Sequence, residues 1–247
     1  MISNKKGESM ILITTIHDPY MKLINDIRLY APIINEIFEE TYICISDKTG
    51  KTITDICTNN YSNVKVIRKK GAADARRNVL KFAISKIKID QKIMYCDFDR
   101  VITWLKLYPK ELIEVINRFD GNFDKDYLVV GRTEKAFDTH PSSWKDTEII
   151  TNKMSALAFE IENLDITAGA SIFTLSAGKS IAKLSKHSHT DCEWPKIICD
   201  NSGIIGEIKV DGLSYIEINR ANTISDIQEY YQRLVLSEKI TSILLDI

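Results

Sequence analysis

The chain has 247 residues and a formal net charge of -1, and 44% of its residues are hydrophobic. That apolar fraction is enough for a substantial core, and this length is compatible with one α/β domain. Positive and negative side chains are mixed along the sequence, without the basic excess that is typical of nucleic-acid-binding proteins. We therefore expect no nucleic-acid partner, and an acidic substrate would need a local device such as a metal ion or a few arginines.

The five cysteines lie far apart and form no disulfide or zinc-binding pattern. No segment approaches the roughly 18 consecutive apolar residues that a membrane-spanning helix needs. The start of the sequence is polar, and the apolar run that follows it is too short for a secretory signal. We therefore expect no integral membrane segment and a cytoplasmic location.

The first half of the chain alternates short, β-rich apolar runs with helical patterns. Helices are predicted from Asp18-Pro19 onward, where aspartate suits the N-cap and proline the first turn, and over 74–87 and 109–118. The predicted strands are residues 10–16, 41–46, 64–67, 92–98 and 127–131. Strands separated by crossover helices predict an α/β fold with a mostly parallel central sheet that is flanked by helices.

The second half has a less regular pattern, with a predicted polar loop over residues 132–146. Residues 204–210 and 214–218 predict a hairpin around Asp211-Gly212. A further strand is predicted over 171–175, and helices are predicted over 147–163, near 181 and over 224–236. Since no repeat or linker interrupts the chain, we predict a single domain over residues 1–247, divided at about residue 135 into two halves.

Two acids separated by one residue, Asp97 and Asp99, stand at the end of an apolar predicted strand. Side chains two residues apart on a strand point to the same face, so both carboxylates can converge on one site. Ligands of parallel sheets bind beyond the carboxyl ends of the strands. Two carboxylates there suit Mg²⁺ or Mn²⁺, which take oxygen ligands and usually bind substrate phosphates as well. The alternative is a strand that simply ends in two solvated acids.

A glycine and a predicted helix precede this strand. The helix begins after Gly71 and carries Arg76 and Arg77. Free N–H groups and the dipole at a helix N-terminus favour an anion, and guanidinium groups donate to phosphate oxygens. The alternative is an ordinary helix start with solvated arginines.

Gly71, the segment Ala75-Arg76-Arg77-Asn78 and the acid pair of Asp97-Phe98-Asp99 together resemble the donor half of GT-A glycosyltransferases. They are most similar to the large inverting class 2 group. The resemblance covers residues 10–135 and implies a Rossmann-type GT-A architecture. It also implies a nucleoside-diphosphate-sugar donor (a UDP- or GDP-sugar), a Mn²⁺ or Mg²⁺ cofactor and an acceptor held by residues 136–247, whose identity stays open.

The resemblance also implies roles for single residues. Asp99 is expected to ligate the metal, and Asp97 to contact the metal, the ribose or the sugar. Arg100 stands where the family commonly has a small or acidic residue, and we expect it to bind a phosphate or an anionic acceptor, with pairing to a nearby acid as the alternative. The remaining residues expected to bind the nucleotide are Thr15, His17, Asp47, Asp74 and Arg77.

The segment 190–194 is similar in position to the family's acidic acceptor-side motif. An inverting transfer needs a base that takes the proton of the acceptor hydroxyl, and Asp191 is the first candidate, with Glu193 second. The alternative is that Thr190 or Asp191 caps a helix, and retaining members of the fold need no such base. His189 is a candidate third metal ligand, and Trp144 and Trp194 are candidates for stacking on a sugar ring.

Three other functions compete with this interpretation. The segment Asp97-Phe98-Asp99-Arg100 looks like the opening motif of haloacid dehalogenase-type phosphatases, in which the two aspartates are nucleophile and acid/base. That motif usually lies on the first strand and has a glycine where this chain has Arg100. Nucleotidyl transfer normally needs a glycine-rich loop after the first strand, which residues 14–19 lack. A non-catalytic sugar-nucleotide-binding protein would keep the same fold.

Overall fold

The structure is a computed structural model that describes residues 10–119, 124–219 and 225–245. The strands of the described residues are β1 Ile11–Ile16, β2 Glu40–Ser46, β3 Asn63–Ile67, β4 Ile93–Cys96, β5 Tyr127–Arg132, β6 Ala170–Phe173 and β7 Ile205–Val210. They form one seven-stranded sheet in the order β3-β2-β1-β4-β6-β5-β7. Strand β6 is antiparallel to β4 and β5, and the other pairs are parallel. The predicted mostly parallel sheet is confirmed, and it joins strands from both halves.

The helices of the described residues are α1 Ile24–Ile37, α2 Lys51–Asn60, α3 Ala72–Ile84, α4 Phe98–Leu107, α5 Pro109–Arg118, α6 Glu134–Asp138, α7 Ser142–Phe159, α8 Leu175–Leu184, α9 Thr190–Asp200 and α10 Asp226–Leu244. They cover both faces of the sheet, because successive side chains of a strand point to opposite faces. Leu12 of β1 packs with α1, α2 and α4 on one face. Its neighbours Ile11 and Ile13 pack with α3, α8 and α9 on the other.

The predicted helix start at Asp18-Pro19 is wrong, since α1 begins at Ile24. Asp18 is buried instead in the loop after β1, where its Oδ2 accepts a hydrogen bond from the Leu23 amide at 2.8 Å. The side chain therefore shapes the loop that leads to the helix. This matters for function because that loop lies at the carboxyl edge of the sheet.

Helices α2, α4 and α6 were not predicted from the sequence, and α9 was considered only as the alternative in which Thr190 or Asp191 caps a helix. Helix α2 is rich in threonine and asparagine and buries only Ile53 and Cys57, so its apolar stripe is too narrow to stand out. Helix α4 follows β4 directly, and its apolar residues continue the apolar run of the strand. The predicted loop over 132–146 is also wrong in part, since it contains α6 and the start of α7.

The predicted hairpin around Asp211-Gly212 is wrong because β7 pairs in parallel with β5. The backbone amides of Asp211 and Gly212 each donate to the Glu111 carboxylate at 2.8 Å. A Cβ at position 212 would lie 1.9 Å from the Trp104 ring. Gly212 lies in a turn in which the Ser214 amide donates to the Asp211 carbonyl oxygen at 3.0 Å, and the glycine allows this turn to pack against an indole.

Helix α10 is longer than the predicted 224–236, and residue 224 lies outside the described residues. Ser225 and Gln228 form a capping box at its start. The helix packs beside α7, with Thr151 and Ser237 sharing a hydrogen bond of 2.6 Å. Among the described helices, none combines the length and the apolar character that a membrane crossing requires.

Candidate functional site

A cavity of about 630 Å³ opens at the carboxyl edge of the sheet, beyond β1, β2, β3 and β4. Its walls come from the segments that follow these strands, including Thr15 and His17 after β1 and the acid pair after β4. Trp144 of α7 and Asn219 border the cavity from the second half of the chain. This is the edge at which parallel α/β sheets bind ligands, and we call this space the main cavity.

Asp97 lies at the junction between β4 and α4. The strand ends at Cys96, and the Asp97 carbonyl accepts hydrogen bonds from the amides of Arg100 at 2.9 Å and Val101 at 3.0 Å. Asp97 is thus the residue before a helix, and Asp99 lies in the first helical turn. The prediction that both acids share one strand face is therefore wrong. Both nevertheless border the main cavity.

The carboxylate of Asp97 is held by three donors. Its Oδ2 accepts a hydrogen bond from the Arg76 guanidinium at 2.9 Å. Its Oδ1 accepts one from the Thr15 hydroxyl at 3.3 Å and another from the Tyr95 phenol. The arrangement fixes the direction in which this carboxylate faces the cavity.

The carboxylate of Asp99 has a different environment. Its Oδ2 accepts a hydrogen bond at 2.7 Å from the side-chain amide of Asn219, which is a neutral donor. Burial raises the pKa of Asp99 above its ordinary value, while the positive charge of Arg100 opposes this effect and Asp97 adds to it. A cation in the cavity would favour the ionised form of Asp99.

The acid pair fits a divalent ion that completes its coordination with substrate oxygens. Over 10–119, 124–219 and 225–245, no group of three or more His, Cys, Asp or Glu side chains is arranged to hold a metal. Mg²⁺ is usually held by one or two carboxylates together with substrate phosphates, which suits Asp97 and Asp99 beside a large cavity. The structure does not bring His189 to this pair: it precedes α9, and its Nδ1 lies 2.8 Å from the Ser188 hydroxyl.

Arg76 joins the two acidic sites that the sequence singled out. Its guanidinium donates to Asp97 Oδ2 at 2.9 Å and to Asp191 Oδ1 at 2.8 Å. It also donates to the hydroxyls of Tyr95 at 2.8 Å and Thr190 at 3.0 Å. Burial lowers the pKa of Arg76, but the carboxylates of Asp191 and Asp97 raise it more, and the net change is well upward. One arginine therefore links the donor half to the acceptor half.

The segment before α3 supplies a basic wall. Arg68, Lys69 and Lys70 border the main cavity and are exposed. Gly71 follows with a φ of +106°, a conformation that favours glycine, and α3 begins at the next residue. Three cations and a helix N-terminus beside one cavity suit an anionic ligand. We call residues 68–71 the basic segment.

Of the other residues predicted to bind the nucleotide, two border the main cavity and two do not. Thr15 and His17 border the main cavity, and burial lowers the pKa of His17. Asp47 supports the basic segment, since its Oδ1 accepts a hydrogen bond from the Lys69 amide at 3.0 Å. Asp74 is not among the residues that border the cavity, and its Oδ2 accepts a hydrogen bond from Asn78 at 3.0 Å.

Arg77, which was expected near the nucleotide, points elsewhere. It donates to the carbonyl oxygen of His187, and its guanidinium lies 3.9 Å from the Glu193 carboxylate. It does not border the main cavity. Of the two adjacent arginines, the structure places Arg76 at the site and Arg77 against the segment before α9.

Asp191 lies in the first turn of α9, where its carboxylate is 18% exposed. The residue before this helix is His189, so neither Thr190 nor Asp191 is the cap. Asp191 borders a second, small cavity of about 10 Å³ together with Arg76 and Tyr127. This space holds about one water molecule. Neither Asp191 nor Arg76 borders the main cavity, and Asp191 is connected to it only through Arg76, which also bonds to Asp97.

Glu193 has a different surrounding from Asp191. It is 2% exposed, and its carboxylate accepts hydrogen bonds from the Ser185 hydroxyl and from the amides of Lys186 and His187. These bonds anchor the segment that leads into α9. Both oxygens already have protein donors, so the geometry favours Asp191 over Glu193 as a base.

The two candidate tryptophans and Arg100 also differ in their surroundings. Trp144 borders the main cavity, whereas Trp194 is 1% exposed and belongs to the core. Arg100 borders the main cavity with its guanidinium 3.2 Å from the His140 ring, and not in the predicted alternative of a pair with an acid.

Three residues of the site were not selected from the sequence in these roles. Arg76 was noted only as one of two arginines. Tyr95 lies two residues before Asp97 and faces the same way, a spacing that could have identified it. Asn219 lies 120 positions from its partner Asp99, and nothing local in the sequence connects them.

The fold is that of solved GT-A glycosyltransferases, which confirms the architecture that the resemblance implied. A structure of glucosyl-3-phosphoglycerate synthase from Mycobacterium tuberculosis with Mn²⁺, UDP and phosphoglyceric acid is similar with a TM-score of 0.60 and 10% identity, covering 98% of this chain and 79% of that chain. The same protein with Mn²⁺, UDP-glucose and phosphoglyceric acid gives 0.60 and 10%, covering 98% and 80%. With Mg²⁺ and UDP it gives 0.57 and 10%, covering 98% and 80%. No protein-family model and no curated protein matches the sequence.

Proposed function

We propose that this protein is a metal-dependent glycosyltransferase that takes a sugar from a UDP-sugar. One observation carries the proposal: Asp97 and Asp99 border the same cavity of about 630 Å³ as the cations of the basic segment. A carboxylate pair alone would repel a diphosphate, whereas a carboxylate pair with a divalent ion and nearby cations would bind it. Solved structures of the same fold that contain UDP with Mn²⁺ or Mg²⁺ support this choice of ligand.

Different residues of the main cavity would bind different parts of the sugar donor. Asp97 and Asp99 would hold the divalent ion, which when bound would stabilise negative charge on the departing diphosphate. The basic segment and the N-terminus of α3 would bind the nucleotide's phosphate oxygens. Thr15 orients Asp97 by donating to its Oδ1 at 3.3 Å, and Asn219 orients Asp99 by donating to its Oδ2 at 2.7 Å.

Asp191 is the proposed general base of an inverting transfer. A base must take the proton of the acceptor hydroxyl as its oxygen attacks the anomeric carbon, a role that typically contributes about 10²–10⁴-fold to the rate. The guanidinium of Arg76 at 2.8 Å keeps one oxygen of Asp191 directed toward the donor side. Glu193 stays a second candidate, with the disadvantage that its carboxylate is already occupied by three protein donors.

Two rival functions are distinguished by activity. A phosphatase would hydrolyse an aryl phosphate in the presence of Mg²⁺, and we expect no such hydrolysis. The position of Asp97 after the fourth strand in chain order is unlike the first-strand position usual for that class. A non-catalytic binding protein would bind a UDP-sugar and leave it intact, whereas most active transferases slowly pass the sugar to water.

The proposal is tested with a panel of UDP, GDP, UDP-glucose and GDP-mannose, each with and without Mn²⁺. We expect UDP compounds to raise the melting temperature in a Mn²⁺-dependent manner, and free UDP to appear slowly from the matching UDP-sugar. Stabilisation by GDP compounds only would contradict the choice of base. No stabilisation by any nucleotide would contradict the proposed function.

A further inference from the structure

Arg100 presents a positive charge to the main cavity, and its hydrogen-bond partners among the described residues are neutral groups. It lies in the first turn of α4 and borders the cavity. In the described part of the chain, its guanidinium Nη1 lies 3.2 Å from the His140 Nε2 and 3.4 Å from the Leu213 carbonyl oxygen. The adjacent acid, Asp99, bonds to Asn219. Arg100 makes no hydrogen bond to a carboxylate among the described residues, so its other N–H groups can donate to a further oxyanion.

His140 is suited to orient this arginine. It is 3% exposed, and its Nδ1 lies 3.1 Å from the Ala136 carbonyl oxygen, which can only accept. Nδ1 therefore carries the proton, and Nε2 has a lone pair for the arginine. Burial, together with the charges of Arg132 and Arg100, lowers the pKa of His140 to about 3, so the ring is neutral near pH 7.

The ring of His140 is also fixed in place by its aromatic neighbours. The ring centroids of Tyr215 and Trp144 lie 5.6 and 5.9 Å from its own. Since His140 and the Leu213 carbonyl oxygen both contact Nη1, the Nε and Nη2 donors of Arg100 stay available to the cavity. The planar guanidinium of Arg100 can therefore donate two parallel hydrogen bonds to a carboxylate or phosphate.

The residues that hold Arg100 indicate whether it contacts the sugar donor or the acceptor. His140 precedes α7 and Leu213 follows β7, so both anchors of Arg100 come from the acceptor half of the chain. The basic segment, by contrast, precedes α3 in the donor half. Arg100 itself lies at the start of α4, directly after the acid pair, so it differs from the basic segment in being held by residues of the acceptor half.

We propose that Arg100, oriented by His140, binds a carboxylate or phosphate group of the substrate, and that this group belongs to the acceptor. Arg100 contacts the substrate directly, and His140 is a positioning residue. The inference rests on the proposed function, because it takes the remainder of the main cavity to be filled by a UDP-sugar. It restricts the acceptor to anionic molecules.

The test uses the full chain saturated with UDP and Mn²⁺, to which inorganic phosphate is added while the melting temperature is followed. Arg100→Gln should weaken phosphate binding by about tenfold or more, the worth of a charge-assisted hydrogen bond, while UDP binding stays unchanged. Lys70→Gln is the matched control from the basic segment and should weaken UDP binding but not phosphate binding. The same phosphate titration without UDP measures the contribution of Arg100 even if the protein does not bind UDP.

Two substitutions separate the role of His140 from simple packing. The amide oxygen of His140→Gln can occupy the position of Nε2 and accept from Arg100, whereas the shorter side chain of His140→Asn reaches only the position of Nδ1. Phosphate binding should be retained in the first variant and weakened in the second, with UDP binding retained in both. Equal phosphate affinities in these two variants would overturn the role of His140.

Three results would overturn the assignment of Arg100. Equal phosphate binding by wild type and Arg100→Gln would contradict the oxyanion site, and so would the absence of phosphate binding by wild type. Alternatively, Arg100→Gln weakens UDP binding as strongly as phosphate binding, which assigns the contact to the donor diphosphate. Absence of UDP binding by wild type, with the phosphate effect intact, contradicts only the proposed function.

Discussion

Replacement of Arg76 by glutamine removes the cation that Asp97 and Asp191 share, while most of the side-chain length is kept. Removing one partner of a buried ion pair typically costs about 3–5 kcal/mol, because the other charge is left uncompensated. The Arg76, Asp97 and Asp191 side chains are 12%, 31% and 18% exposed, so water screens part of this effect. We therefore expect a loss near the lower limit, about 3 kcal/mol, or a melting temperature about 6–12 °C lower.

The measurement is denaturant unfolding followed by circular dichroism, with Arg77→Gln as the matched control. Arg77 donates to a backbone carbonyl and lies 3.9 Å from Glu193, so its loss should cost only about 1 kcal/mol. The double variant Arg76→Gln with Asp191→Asn should be more stable than the sum of the two single effects predicts, because one uncompensated charge is gone. If Arg76→Gln is as stable as Arg77→Gln, the bridging role of Arg76 is wrong.

Three further outcomes are expected. Asp191→Asn should lower turnover by at least about tenfold with UDP binding retained; normal turnover would remove Asp191 from the mechanism. The pKa of His140 is about 3 in the folded protein, whereas its ordinary value is 6.5. Between pH 3 and pH 6.5, His140 therefore binds a proton in the unfolded chain but not in the folded protein. Stability should therefore fall as the pH drops from 6.5 toward 3, by up to about 1.4 kcal/mol per pH unit, and urea titrations of His140→Gln at pH 7 and pH 5 should show a smaller fall. Gly212→Ala should destabilise by about 1–3 kcal/mol in the same titrations, because its Cβ would meet the Trp104 ring; wild-type stability would contradict this packing.

The central strands were predictable because their pattern is simple. Residues 127–130 are a continuous apolar run, and only Thr14 and Thr15 interrupt residues 11–16, as expected of strands buried on both faces. The antiparallel direction of β6 was not predictable, since its four residues carry no sign of their direction. Pairing of β6 between β4 and β5 is decided by the packing of the whole sheet.

The boundary between β4 and α4 shows why both acids border the main cavity although their predicted local geometry is wrong. Phe98, Val101, Ile102 and Leu105 follow the apolar spacing of a helix and are buried in one core, yet the first of them continues the apolar run of the strand. Asp97 therefore belongs to the turn before the helix. The acids border the main cavity because this junction lies at the sheet's carboxyl edge.

The partners of the acid pair were the least predictable part of the site. Arg76 and Asp191 are 115 positions apart, and Asp99 and Asn219 are 120 positions apart. Such contacts depend on how α3, α4 and α9 pack against the sheet. Local sequence patterns name the residue types that chemistry needs, but they do not determine which of two adjacent arginines faces the site.

The central claim is that the acid pair holds a divalent ion that binds the diphosphate of UDP. The most direct measurement compares UDP-induced thermal stabilisation of wild type and Asp99→Asn with and without Mn²⁺, and Asp74→Asn serves as the control because Asp74 does not border the main cavity. At 100 times the dissociation constant, UDP should stabilise wild type by about 2.7 kcal/mol, and the Mn²⁺-dependent part should be lost only in Asp99→Asn. Equal Mn²⁺-dependent stabilisation of wild type and Asp99→Asn would contradict the claim.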